Sequence, residues 1–255
     1  MNAPMSARAR VRAELTREIL DAARRQLATE GATGLSLRAV ARELGMVSSA
    51  LYRYFPSRDD LLTALIIEGY DAVGAAAEEA DAACPRGDLA GRYRAACRAV
   101  RAWALVQPHE YALLYGSPVP GYRAPRDTIG PASRATEVFV GQLREAAAAG
   151  LFGRPAPGAP SLDFLDADAR VVLAGIPDEA ALRGLMVWSG LFGLISSELF
   201  GQFNGVVDDP DALFDAAVTR LAAFVGFTPS PPPTTSAPRR RRSGARCGRR
   251  RTRGR

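Results

Sequence analysis

SLRAVARELGMVSSALYRYFPSRDD, residues 36–60, decides how the rest of the chain is read. Leu37, Val40, Ala41 and Leu44 fall at i, i+3, i+4 and i+7, an apolar stripe over two helical turns. Gly45 follows, the residue type that takes positive φ past a helix end. After a short turn, Val47, Leu51, Tyr54 and Phe55 share a second apolar face. Ser48, Ser49, Tyr52 and Arg53 then point the other way, a face of hydroxyls with one cation. Two short helices joined by a tight turn form a helix–turn–helix, here over about residues 36–55. Such a motif sets its second helix in a major groove, where hydroxyls and Arg reach base edges and phosphates. The start of that helix falls at Val47 or, with Ser48 as the cap, one residue later. Pro56 stops it, and Ser57 with Asp60 forms a capping box that starts the next helix.

The run Gly45-Met46-Val47-Ser48-Ser49-Ala50-Leu51-Tyr52-Arg53-Tyr54-Phe55, followed by Ser57-Arg58-Asp59-Asp60-Leu61, resembles the N-terminal DNA-binding domain of the TetR/AcrR family of transcriptional regulators. The usual pattern is Gly-Val-Ser-x-Gly-x-Leu-Tyr-x-His-Phe, then a basic residue and Leu. Val47 stands here where a capping Ser is common, Ser49 where Gly is frequent, and Tyr54 where His is frequent. The resemblance covers about residues 12–72 and implies an all-α protein. A three-helix DNA-binding domain over 12–72 would precede a larger helical effector-binding and dimerisation domain over 73–227. On that footing Ser48, Ser49 and Arg53 are expected to read bases. Tyr52, Tyr54, Arg38 and Arg58 are expected to hold phosphates and set register.

Charge is unevenly divided. Residues 1–58 carry +5, residues 59–238 carry −9 and residues 239–255 carry +10. The acidic bulk excludes a nucleic-acid surface spread over the whole molecule. Every base is Arg, with no Lys, which with the abundant Ala and Gly reads as compositional bias. Cys84, Cys97 and Cys247 make neither a disulfide framework nor a metal spacing, and a redox role for Cys84 and Cys97 needs a lowered thiol pKa that no neighbour in sequence supplies. Neither a metal nor a cofactor is expected. No apolar leader precedes the first helix, so a cytoplasmic protein is expected, associated with the nucleoid when on DNA.

Residues 1–11 read as a basic arm with Arg8 and Arg10, either frayed or touching DNA. Val11, Leu15, Ile19, Ala23 and Leu27 make a bracing helix that Gly31 closes. A long helix runs from Ser57 to about Ala83 and belongs to both halves, the natural lever between them. Asp88 caps a helix over about Leu89–Gln107, a short helix covers His109–Tyr115, and the Pro-rich residues 116–131 are irregular. A helix over about Ala132–Ala149 and a loop at 152–160 follow. Residues 228–255, Pro/Ser/Thr-rich and then Arg-rich, read as a disordered tail that either adds salt-sensitive phosphate contacts or does nothing.

Two helices close the fold. Pro177-Asp178-Glu179 opens one whose body is apolar almost all round, yet Gly184–Ser197 gives 14 uncharged residues, short of the ~20 of a membrane span. Such a helix needs cover on two sides. Ser189, Gly193, Ser197 and Gly201 form a ridge of small residues, and the last helix, opened by Asp209-Pro210, carries Leu213, Ala217, Leu221 and Phe224. These eight are the expected homodimer interface, since TetR-like regulators dimerise through their last two helices. A narrower resemblance, to a subgroup with a Trp-x-x-x-His-Gly signature, rests on Trp188-Ser189-Gly190-Leu191-Phe192-Gly193 and on Tyr111–Tyr122 upstream. Phe192 replaces the His.

His109 is the single histidine, so no multi-His site can be assembled; with no nucleophile–base set or metal set found in the sequence, no enzyme is expected. Tyr70, Trp103, Tyr111, Tyr115, Trp188 and Phe192 are candidate walls for an apolar or aromatic effector, with His109 or Glu198 as polar anchor. The expected function is a dimeric regulator on a palindromic double-stranded DNA operator, a repressor because occupancy alone blocks polymerase, released by that effector. An activator of the same family, or a sequence-blind DNA-compacting protein using the Arg tail, are the alternatives.

Overall fold

A computed structural model describes residues 6–153, 158 and 161–227. The expected arm before Ser6, most of the 152–160 loop, Cys247 and the whole 228–255 tail lie outside the described residues. Ten α-helices follow one another, with no strand among the described residues. They are α1 (Ala7–Gly34), α2 (Leu37–Glu43), α3 (Ser48–Leu51), α4 (Arg58–Ala82), α5 (Leu89–Val106), α6 (Pro108–Tyr115), α7 (Ile129–Ala148), α8 (Ala167–Val172), α9 (Asp178–Leu199) and α10 (Pro210–Val225).

Local chemistry sets most of the boundaries. Ser57 Oγ accepts from the Asp60 N–H at 3.1 Å and starts α4; Asp88, Asp166 and Asp209 cap α5, α8 and α10 in the same way. Gly45, at φ 66, ends α2 with the Met46 N–H donating back to the Ala41 carbonyl at 2.8 Å. Gly31, at φ 69 and ψ 176, breaks the helical path of α1 before its last turn.

Buried side chains gather into two clusters. Ile19, Leu20, Ala23, Leu37, Val40, Leu51, Phe55, Leu61 and Leu65 build one, from α1–α3 and the start of α4. Val73, Tyr93, Cys97, Val100, Tyr111, Leu191, Ile195, Phe214 and Val218 belong to the other, from the rest of α4 to α10. Helix α4 runs through both, and Thr63 on it meets the Tyr122 hydroxyl at 2.9 Å, tying the Pro-rich 116–125 segment to the first cluster.

Several expectations change. The arm is helical from Ala7, because Ser6 Oγ accepts the Ala9 N–H, so Arg8 and Arg10 project from the first turns of α1. Residues 116–131 are irregular only to Pro125: a 3-10 turn over Arg126–Thr128 leads straight into α7, and Pro131 sits in its first turn, where no N–H is missed. Helix α8 was not expected; it buries no side chain and hangs on its Asp166 cap. Helix α9 is 22 residues long with a mean hydropathy of 1.3 over its apolar window, long and apolar enough for a span, although the count of uncharged residues alone is not. It ends at Leu199, and Gly201, at φ 74, closes it, so Gly201 lies beyond the helical ridge of Ser189, Gly193 and Ser197.

Candidate functional site

The helix–turn–helix is held from behind. Leu51 is fully buried and Phe55 nearly so, under α1 and α2. Arg25 of α1 pairs with Glu43 of α2 at 2.7 Å, and Gln26 Oε1 accepts the Ser36 N–H at 3.0 Å. Helix α3 keeps α-helical pairing for only four residues, after which Arg53 and Tyr54 donate to the Ala50 and Leu51 carbonyls in tighter i→i−3 turns. Pro56 disfavours helical backbone at the residue before it, which explains the early stop. Neither Val47 nor Ser48 caps this helix through a side chain. Val47, expected inward, is 70% exposed: it precedes the first turn of α3 and points away from the stripe of Leu51 and Phe55.

What this packing leaves outside is the candidate interface. Ser49, Tyr52, Arg53 and Arg38 are exposed, and Ser48 is half-buried. Glu43, the single acid between Ser36 and Ser57, is turned to Arg25, so no carboxylate among the described residues lies within 4.0 Å of Arg38, Arg42 or Arg53. Arg38, Arg42 and Arg53 thus present cations without a paired acid, suited to phosphates and base acceptors.

Two expected contacts sit differently. Arg58 turns inward, its Nε and Nη2 donating to the Leu35 and Ala32 carbonyls at 3.2 and 2.6 Å, so it clamps the α1–α2 turn. Tyr54 is half-buried with the Arg12 guanidinium 4.9 Å above its ring, and Arg12 reaches the Arg53 carbonyl at 3.5 Å. Arg8, Arg12 and Tyr54 line one concavity of about 600 Å³ at the start of α1, a basic extension of the interface. Arg12 was not among the expected residues; its pairing with Tyr54 spans 42 positions and leaves no periodic trace.

The expected effector residues do not form one site. Tyr111, Tyr115, Trp188 and Phe192 pack into one another, with ring centroids 4.3 Å apart for Tyr115–Phe192 and 4.5 Å for Trp188–Phe192, and Tyr70 meets Tyr115 edge-on at 6.0 Å. The Tyr111 hydroxyl meets Ser196 Oγ at 2.8 Å and the Phe192 carbonyl at 3.1 Å. Burial pushes the Tyr111 and Tyr115 phenols up, so both stay neutral. The cavity beside this cluster, under Trp188 and Phe139, holds only about 20 Å³, room for one water and not for an effector. His109 is exposed on a separate concavity of about 390 Å³ with Leu27, Leu113 and Val119. Glu198, expected as an anchor, is already held by Arg101 through hydrogen bonds of 2.7 and 2.6 Å. Trp103 faces a third and larger cleft, about 820 Å³, between α1, α4, α5 and α6. Alanine walls carry no sequence signature of a pocket, so this cleft was not foreseen. Cys97 is buried and its thiol is pushed up to about 12, which leaves it unreactive at neutral pH.

Of the expected dimer residues, Ser189, Gly193 and Phe224 are exposed, and Ser197, Leu213, Ala217 and Leu221 are half-buried. Met186 and Phe200 beside them are each about half exposed. An apolar face of α9 and α10 is thus open to solvent in the single chain.

Residues 19–65 match the family described as bacterial regulatory proteins, tetR family, and residues 93–221 match the tetracyclin repressor-like C-terminal domain. The HTH-type transcriptional regulator Rv1816 of Mycobacterium tuberculosis is 40% identical over 219 residues, 84% of this chain and 93% of that protein. The chain belongs to the TetR family of transcriptional regulators. Among solved structures, SCO4313, assigned as a regulatory protein, is 39% identical with a TM-score of 0.68, covering 87% of this chain and all of the other. A Rhodococcus sp. RHA1 protein of unknown function is 26% identical with a TM-score of 0.61, covering 83% and 93%. The tetR-family match takes in α2 and α3, and the C-terminal match covers much of the second cluster of buried side chains, which also draws on Val73, Ala77 and Ala90 before it and on Ala222, Val225 and Phe227 after it.

Proposed function

We propose that this TetR-family regulator is a repressor that binds a palindromic operator as a homodimer and releases it when a small molecule with an apolar or aromatic body binds the helical region. The observation that carries this reading is the unopposed cationic face of α2 and α3, Arg38, Arg42 and Arg53 beside Ser49 and Tyr52. Ser48, Ser49 and Arg53 read bases, while Arg38, Tyr52, Tyr54 and Arg12 hold phosphates. Residues 12–72 act as the DNA-binding domain and 73–227 as the effector and dimerisation domain. Dimerisation covers the open face of α9 and α10 and sets two recognition helices about 34 Å apart, one helical turn of DNA. That cover also accounts for an α9 apolar enough for a membrane within a helical bundle. Such a protein works in the cytoplasm, on the nucleoid.

The experiment is binding of the full-length protein, and of a version ending at Gly226, to DNA upstream of its own gene and to scrambled DNA at about 0.15 M salt. A preference of about a thousandfold or more that survives truncation supports the operator reading. Binding that is sequence-blind and vanishes with the tail replaces it with DNA compaction by the ten C-terminal arginines.

A further inference from the structure

The cleft of about 820 Å³ lies where α1 of the DNA-binding region meets α4, α5 and α6. Its floor is alanine: Ala72, Ala76 and Ala80 from α4, Ala83 just past its end, and Ala99 and Ala102 from α5, with Trp103 and the 73%-exposed Val106 also lining it. From Glu68 to Ala83 the groove follows α4 for about 22 Å at the helical rise of 1.5 Å per residue. One end is ionic. Asp21, Glu68 and Glu110 converge there on the single cation Arg24, and Glu79 sits further along the groove. Arg24 pairs with Asp21 at 2.6 Å, with Glu110 at 3.0 Å, and with Glu68. Glu110 is the least expected of these, a carboxylate only 7% exposed on the first turn of α6. The lining carries four acids and one base, so the cleft is negative even with Arg24 in place.

We propose that this cleft binds an amphipathic organic cation, its positive head between Glu68 and Glu110 beside Trp103 and its hydrocarbon along the alanine floor, and that the head takes the carboxylates from Arg24. The volume is that of a small-molecule site. The net negative end selects a cation, and Trp103 adds a π face to hold one. Anions are repelled by the four carboxylates. A neutral ligand gains the alanine floor but leaves the carboxylates as they are. The exchange matters for regulation because Arg24 is on α1 while Glu110 is on α6, and their pair ties the DNA-binding region to the helical body. A ligand that replaces Arg24 favours the arrangement in which that tie is open, and its effect on DNA is limited by its difference in affinity between the two arrangements. This deepens the effector-release reading and rests on it only for the last step.

The test is calorimetric titration of the full-length protein with dodecyltrimethylammonium below its micelle-forming concentration, against an uncharged dodecyl ether of the same chain length, with operator binding measured in the same samples. The cation is expected to bind one site per chain at least tenfold more tightly than the ether. Glu110→Gln and Glu68→Gln each weaken it by at least tenfold, and Ala76→Leu, which narrows the groove while leaving every ion pair intact, removes it at an unchanged unfolding midpoint. Equal binding of cation and ether, or wild-type binding by Ala76→Leu, overturns the site. Binding with no loss of operator affinity overturns the exchange with Arg24. Lack of any operator preference in the ligand-free protein, with cation binding intact, removes the repressor reading and leaves the site standing.

Discussion

Arginines serve opposite ends in the two parts of this molecule. Arg38 and Arg42 on α2 and Arg53 just past α3 face solvent, and the one acid between Ser36 and Ser57, Glu43, is held by Arg25. In the helical body several guanidinium groups bridge carboxylates on other helices. Arg92, 2% exposed, lies between Asp81 and Glu145; Arg101 joins Glu198 to Asp211; Arg134 joins Asp71 to Glu78. Same residue type, opposite surroundings: a cation with its own acid fixes one helix to another, and a cation without one waits for an anion from outside. Arg24 combines the two settings, paired with three carboxylates yet lining a cleft.

The largest effect should come from breaking an enclosed arginine. Arg92 donates through Nε and Nη2 to Asp81, both at 2.9 Å, through Nη2 to Glu145 at 3.0 Å and through Nη1 to the Arg86 carbonyl at 3.3 Å. Arg92→Ala strands Asp81, itself largely buried and further held by Gln142, and is expected to cost about 3–5 kcal/mol by urea unfolding. Hydrogen bonds to Arg92 hold the Glu145 carboxyl below its usual range. Asp81 also lies below its range: burial acts to raise it, but hydrogen bonds from Arg92 and Gln142 prevail. A depressed carboxylate contributes stability above its unfolded-state pKa and loses it as pH falls through the folded value. The wild type should therefore lose stability below about pH 4, and Arg92→Ala should lose less over the same range. Equal pH slopes for the two proteins would refute the assignment.

An open arginine should behave in the reverse manner. Arg53→Ala removes no internal partner beyond the backbone, so its unfolding midpoint should stay within about 0.5 kcal/mol of the wild type. Operator affinity should fall by about 1–3 kcal/mol with relaxed specificity at one base pair, as measured by competition with single-base operator variants. A loss that is the same on every sequence would move Arg53 to the phosphate contacts, beside Arg12 and Arg38.

How much of this was legible depended on range. Asp88, Asp209, Ser57 and Gly45 announced their helix ends because a cap acts over three or four residues, within one glance of the sequence. The apolar stripe Leu37–Val40–Ala41 was equally local, and it is buried as its spacing requires. Val47 was misplaced because a four-residue helix has too few turns for periodicity to fix its phase. Glu198 was read as an effector anchor and Arg58 as a phosphate contact, since the partners that hold them lie 97 positions away in one case and 23 to 26 in the other. The aromatics were recognised as one group but not as a closed one: composition says which rings meet, not whether space remains between them. The cleft was invisible for the opposite reason, being defined by side chains too small to fill it.

The smallest effect would sharpen the comparison at the junction of the two parts. Ser57 Oγ accepts the Asp60 N–H at 3.1 Å and lies 2.7 Å from Asp60 Oδ2, so Ser57→Ala frees an N–H at the start of α4. The expected cost is about 1 kcal/mol, read as a shift in urea midpoint with an unchanged slope. Asp59 and Asp60 remain in the first turn and continue to favour the helix dipole, which keeps the loss small. Because α4 passes through both clusters of buried side chains, a frayed first turn loosens the seat of the helix–turn–helix without touching any residue on its outer face. Operator affinity should then fall uniformly, with specificity intact, the pattern opposite to that of Arg53→Ala. A change in base preference from Ser57→Ala would mean that the outer face is positioned by α4 rather than by its own packing against α1 and α2.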